Sequence, residues 1–175
     1  MRIPFPRTHR QLLAALALFS AFMLGSALIG QYGFSLYPCD LCIYQRYPYA
    51  AIVAIGLAGW FFVKSRVLLL WLVALCALLL FADAGIAFYH TGVEYGWFKG
   101  PDACSNTGGE MTIEEMRAAI MAAPLVTCDQ AMAYIFGLSM AAWNAMMAFA
   151  AFVSRKSLGD CEMEKMAPLN LRAVR

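Results

Sequence analysis

The sequence predicts an all-α integral membrane protein: a four-helix up-down bundle with a short amphipathic helix in its second outer loop. Three observations predict it. Of 175 residues, 62% are hydrophobic and 14% charged, against about 25% charged in ordinary soluble domains. Four stretches, 11–30, 43–63, 67–89 and 131–153, are about the 20 residues that a helix needs to cross a bilayer. Lysine and arginine alternate in density between successive connections. A soluble domain of this size cannot hide so much apolar surface, and a disordered chain would be poorer in aromatics and richer in charge. A net charge of +2 is too small for nucleic acid to be the main partner.

The first span follows Arg2, Arg7 and Arg10. A basic start before an apolar run is also the pattern of a secretory signal. This run is longer than a usual signal core and carries no convincing cleavage site, so a retained anchor is expected. The second and third spans contain the fully charged residues, Arg46 and Asp83, and are joined by a short turn with Lys64 and Arg66. No strand-type alternation is present, so helices must satisfy the backbone in lipid. Ten of the thirteen basic residues fall on the side of the termini and this turn, counting Arg155, Lys156, Lys165, Arg172 and Arg175; Arg46, Lys99 and Arg117 fall on the other. Both termini are therefore expected in the cytoplasm, with loops 31–42 and 90–130 outside. The whole chain, 1–175, is expected to be one domain.

The first outer loop ends in Pro38-Cys39-Asp40-Leu41-Cys42 as the second span begins. The second carries Cys104, two glycines at 108 and 109, a short helix and Cys128. Thr112 with Glu115 three residues on is a capping box, Ile113, Met116 and Ile120 recur at helical spacing, and Pro124 stops the helix. Such a piece lies on the membrane surface or packs on the bundle ends. Of six cysteines, Cys39, Cys42, Cys104 and Cys128 face outward, where disulfides persist. Cys76 reads as a small packing residue inside the third span, and Cys161 as a reduced cytoplasmic thiol.

The Cys-x-x-Cys carries the chemistry. If Pro38 and Cys39 begin the helix, Cys39, Cys42 and Arg46 lie on one stripe. A helix N-terminus and a nearby cation both stabilise a thiolate, the attacking species in disulfide exchange. Competing readings are weaker. Zinc needs four ligands and the outer side offers one histidine, so no metal is expected; covalent haem needs a histidine where Ile43 stands. Two plain structural disulfides remain an alternative, as does Arg46 as an interfacial anchor. His90, ending the third span at the same interface, is either a belt residue or a proton-exchanging partner of a bound acceptor. Asp83 reads equally as functional or as a packing hydrogen bond; Trp143 and Asn144 read as packing.

At this point the residues are familiar. Pro38-Cys39-Asp40-Leu41-Cys42-Ile43-Tyr44-Gln45-Arg46 resembles the signature of the DsbB family of bacterial disulfide bond formation proteins, quinone-linked thiol oxidases. The likeness extends to four spans in the same orientation, a cysteine pair in the second outer loop, Tyr89-His90-Thr91, and Cys128-Asp129 followed by Gly137-Leu138-Ser139-Met140 and Trp143. The related vitamin K epoxide reductase-like family places its loop cysteines before its Cys-x-x-Cys; here Cys39 and Cys42 come first. The stretch between Cys104 and Cys128 departs from the best-known DsbB members.

The resemblance implies a bacterial inner-membrane enzyme with periplasmic redox loops. Its partner would be a DsbA-like periplasmic thioredoxin-fold oxidase and its cofactor a membrane quinone, ubiquinone or menaquinone. The reduced partner would attack at Cys104, Cys128 would attack Cys39, and Cys42 would be freed to reduce the quinone, with Arg46 and His90 at the quinone site. Against this stands a four-helix scaffold or transporter whose outer disulfides never turn over. A reductase running electrons outward is a third possibility, since direction depends on potentials.

Overall fold

The computed structural model describes residues 9–101, 112–114, 117 and 127–154. The expected amphipathic helix lies largely outside them, as do Cys104, Cys161, Arg2, Arg7 and the basic C-terminal tail. The described elements are helices α1 (His9–Gly33), α2 (Asp40–Phe62) and α3 (Arg66–Glu94), strands β1 (Tyr134–Ile135) and β2 (Leu138–Ser139), and helix α4 (Met140–Ser154). The chain is therefore mostly helical. Helices α1 and α3 are each long and apolar enough to cross a membrane.

Local chemistry sets the helix ends. Cys39 is the N-cap of α2, its sulfur accepting from the Cys42 N–H, and Ser65 caps α3 by accepting from Leu68 N–H. Between them the α2 C-terminus is held by Arg10, which donates to Val63 O at 2.9 Å while its guanidinium sits 5.5 Å from the Trp60 ring centroid. A cation at a helix C-terminus meets the negative end of its dipole. The contact puts the start of α1 beside the end of α2, so the two run antiparallel. Pro48 lies inside α2, where it has no N–H to give to the helix ladder.

The main core joins α1, α2 and α3 through Leu13, Leu16, Tyr49, Ile52, Leu69, Val73, Cys76 and Leu80, with Phe152 of α4 packed against it. Cys76 is fully buried here, as its reading as a packing residue requires. Glycine makes the α1–α2 contact close: a Cβ at Gly56 would overlap the Ala17 Cβ, and one at Gly59 the Leu13 side chain. Small residues of this kind let membrane helices approach backbone to backbone.

The fourth apolar stretch differs from expectation. Its helix begins at Met140, and residues 134–139 form a two-stranded antiparallel hairpin pairing Tyr134 with Ser139 and Ile135 with Leu138. The loop residues Phe136 and Gly137 both have positive φ, 53° and 80°. That is the backbone of the tight turn whose twist matches paired strands. Ser139 then caps α4, accepting from Ala142 N–H at 3.1 Å, and Trp143 Nε1 donates to Ile135 O at 2.9 Å. An apolar run conceals this break because hydropathy does not distinguish strand from helix. Ser139→Ala is expected to cost about 1 kcal/mol, read as a thermal midpoint a few degrees lower in detergent.

Candidate active site

The α2 N-terminus positions the sulfur pair. With Cys39 as N-cap and Cys42 in the first turn, the two Sγ atoms lie 3.0 Å apart, and Cys42 N–H points at Cys39 Sγ at 3.4 Å. A disulfide bond is about 2.05 Å long, so closing it needs an approach of roughly 1 Å. Both are free thiols in the structure, while Cys128 is disulfide-bonded to a partner outside the described residues. Cys128 meets the Cys39–Cys42 pair: Cys39, Leu41, Val93 and Cys128 form one buried cluster, with Cys42 and Tyr89 packed against it.

His90 reaches the pair from α3. Its Nε2 lies 3.5 Å from Cys39 Sγ and 3.7 Å from Glu94 Oε1. The thiol of Cys39 is held well below the ordinary thiol range, first by the hydrogen bond with Cys42 and further by His90, against the opposing effect of burial. Cys42 is pushed up, first because its proton is held in the hydrogen bond with Cys39, and further by burial and by the negative charge on that neighbour. In the reduced pair the stabilised sulfur is Cys39, and Cys42 can carry the charge only once Cys39 is tied up in another bond.

Arg46 is one turn beyond Cys42, as the stripe requires, and its guanidinium donates to Gln31 Oε1 of α1. Its Nε is buried without a partner among the described residues. Cys39, Cys42, Arg46 and His90 all line one half-open cavity of about 140 Å³, walled on the apolar side by Met23, Leu24, Ala27 and Leu36. An engineered apolar cavity of about 150 Å³ holds benzene, so the space suits one six-membered ring with substituents extending through the opening. Arg46 brings a cation to that wall, and the apolar face matches the rest of a lipid-soluble ring. The residues fit a quinone head group.

Two sulfurs and the His90 nitrogen lie within 4.8 Å of one another, the spacing of three metal donors. Three donors leave a site open, whereas structural zinc is closed by four.

Sequence reasoning weighed Asp83 and Asn144 singly and missed the network that joins them behind His90. Gln45, Asp83 and Asn144 are all buried. Gln45 Nε2 faces His90 Nδ1 at 3.2 Å; Asn144 Nδ2 donates to Gln45 Oε1 at 3.2 Å and Asp83 Oδ2 at 3.1 Å; Tyr49 donates to Asn144 Oδ1 at 2.6 Å. Asn144, read as packing, is the hub of this network and lines the cavity. The available signal was polarity itself, since amides and carboxylates are rare inside apolar spans without a task.

The sequence profile described as disulfide bond formation protein DsbB matches residues 9–154. The chain belongs to the DsbB family. Its relatives include a disulfide bond formation protein B of Herminiimonas arsenicoxydans, 39% identical over 48% of this chain and 52% of that protein. An uncharacterized protein of Rickettsia prowazekii is 26% identical over 73% of this chain and 74% of its own length. No solved structure matches the chain. DsbB membership makes the protein a redox enzyme of disulfide bond formation, and with the two membrane-length helices it supports a place in the inner membrane.

Proposed function

We propose that the chain reoxidises a DsbA-like periplasmic oxidase and passes the electrons to a membrane quinone. The observation that carries this reading is the shared cluster: Cys39 packs with Cys128 on one side and lines the ring-sized cavity on the other. The partner's thiolate attacks Cys104 of a Cys104–Cys128 disulfide, and Cys128 leaves with the electron pair. Cys128 then attacks Cys39 within their common packing unit; the Cys39–Cys42 bond breaks and Cys42 takes the pair. Arg46 and His90 would hold the acceptor at the cavity wall. The partner's second thiol then displaces Cys104, whose thiolate attacks Cys128 and leaves the pair on Cys39. The Cys39–Cys42 bond re-forms as two electrons and two protons pass to the oxidant that a bound quinone would supply.

The topology proposed with it is four spans with both termini cytoplasmic, the second and fourth being α2 and the stretch containing α4. The bilayer matters because the acceptor dissolves in it. A DsbA-like partner is itself a strong oxidant, so transfer to the loops is not steeply downhill, and removal of electrons by quinone draws the sequence forward.

The test is quinone reduction by purified protein given a reduced DsbA-like partner. Quinol is expected with wild type and in neither Cys42→Ser nor Cys104→Ser. Absence of quinol throughout, with outer cysteines that never change state, would mean stapled loops on a membrane scaffold.

A further inference from the structure

The polar chain behind His90 has a direction, and Asp83 sets it. Asp83 and His90 are seven residues apart on α3, two turns along one stripe, and Gln45 and Asn144 fill the gap between them. An ionised carboxylate only accepts hydrogen bonds, so Asn144 must turn its NH2 toward Asp83 Oδ2. Tyr49 agrees, because its hydroxyl donates to the Asn144 oxygen. The second Asn144 hydrogen is then given to Gln45 Oε1, which turns the Gln45 NH2 toward His90 Nδ1. An NH2 only donates. Nδ1 is left as an acceptor, and in a neutral ring the proton sits on Nε2, the nitrogen facing Cys39 Sγ at 3.5 Å.

We propose that Asp83 is a positioning residue which, through Asn144 and Gln45, fixes His90 as the Nε2–H tautomer aimed at Cys39. The second-site hydrogen bond of an imidazole decides which nitrogen carries its proton. When a disulfide to Cys39 breaks with the electron pair left on that sulfur, an N–H already points at the new charge, and no ring flip or amide rotation is needed. In this tautomer Nε2 carries a proton in place of the lone pair that a metal ligand would offer. Glu94, at 3.7 Å from Nε2 on the same helix, is the other acceptor facing that nitrogen, and it favours the same tautomer. Asp83 Oδ1 is fully buried and unpartnered among the described residues. A carboxylate kept there only for packing would be better replaced by an apolar side chain.

This inference rests on the redox reading of Cys39 and Cys42 for its purpose but not for its test. The sequence has two histidines, so His9→Gln leaves His90 alone for ¹⁵N-histidine labelling. Spectra are taken on oxidised protein in detergent, where Cys39 bears no charge and the amide chain acts with Glu94 alone. The Nε2–H form is expected to dominate. In Asp83→Asn, whose amide can present either face, an Nδ1–H signal of comparable size is expected; Asn144→Leu, which cuts the chain elsewhere, should do the same. Dominance of Nδ1–H in the starting protein overturns the proposal. So does Nε2–H unchanged in both folded variants, even if their thermal midpoints fall, since that is what a purely structural role predicts. Quinone reduction is measured on the same preparation. The expected tautomer without turnover sinks the redox reading and leaves this one; turnover with the other tautomer does the reverse.

Discussion

Alkylation of Cys39 in the reduced protein is expected to proceed at nearly the same rate at pH 6 as at pH 8. An ordinary thiol with a pKa near 8.5 loses about a hundredfold in thiolate over that range. The sign follows from the direction of the shift. Cys39 is held below the ordinary range, so its thiolate persists as pH falls and disappears only when pH passes the lowered value. The largest contributor is the hydrogen bond with Cys42, which accounts for the choice of variants. Cys42→Ala should restore most of the steep pH dependence, while His90→Gln, removing the next favourable contact, should restore less. Peptide mass mapping after a short iodoacetamide pulse reads the rate at Cys39 alone. A wild-type rate that falls a hundredfold would mean the pair does not share its proton in this way.

The largest effect on stability is expected at Gly56. A Cβ there collides with Ala17 Cβ and comes within 3.5 Å of Ala17 Cα and 3.6 Å of Leu13 O, so backbone must move. Overpacking of a close contact costs typically 1–3 kcal/mol; Gly56→Val, with two further methyl groups and rigid backbone opposite, should reach about 3 kcal/mol or more. The damage should also reach the cavity, since α1 supplies Gln31 to Arg46 and much of the apolar wall. Gly85→Ala is the control, having nothing within 4 Å of its added Cβ. It should be neutral or stabilising by up to about 1 kcal/mol, as alanine suits a helix better than glycine. Thermal unfolding in detergent compares the two, and equal midpoints would mean that the α1–α2 contact is looser than its geometry.

What the sequence made legible follows the reach of its signals. Helices α1, α2 and α3 could be read because a long apolar run reports on its own residues alone, and the Cys39, Cys42 and Arg46 stripe because i, i+3 and i+7 stay within one helix. Residues 134–139 could not, since an apolar hairpin and an apolar helix have the same hydropathy; the signals were Gly137 and the capping potential of Ser139. Gln45, Asp83 and Asn144 are dispersed over a hundred positions, and only packing of three helices makes them one chain. Read singly, each is a polar residue in a span with a bland explanation. The Gly56 contact failed for the same reason: its meaning depends on Ala17.

Burial of the sulfurs bears on leakage. Cys39 is 4% and Cys128 1% exposed, and disulfide exchange requires a thiolate to reach a sulfur along the bond it breaks. Cys128 offers almost no surface to a small thiol dissolved around the protein, whereas Cys39 touches the same buried cluster from its place on the cavity. The fold thus behaves as insulation around a conductor. Under the proposed relay, electrons that enter by a docked macromolecule would move inward by exchange between packed neighbours. Selectivity of this kind would depend on the tightness of a few side chains around Leu41 and Val93.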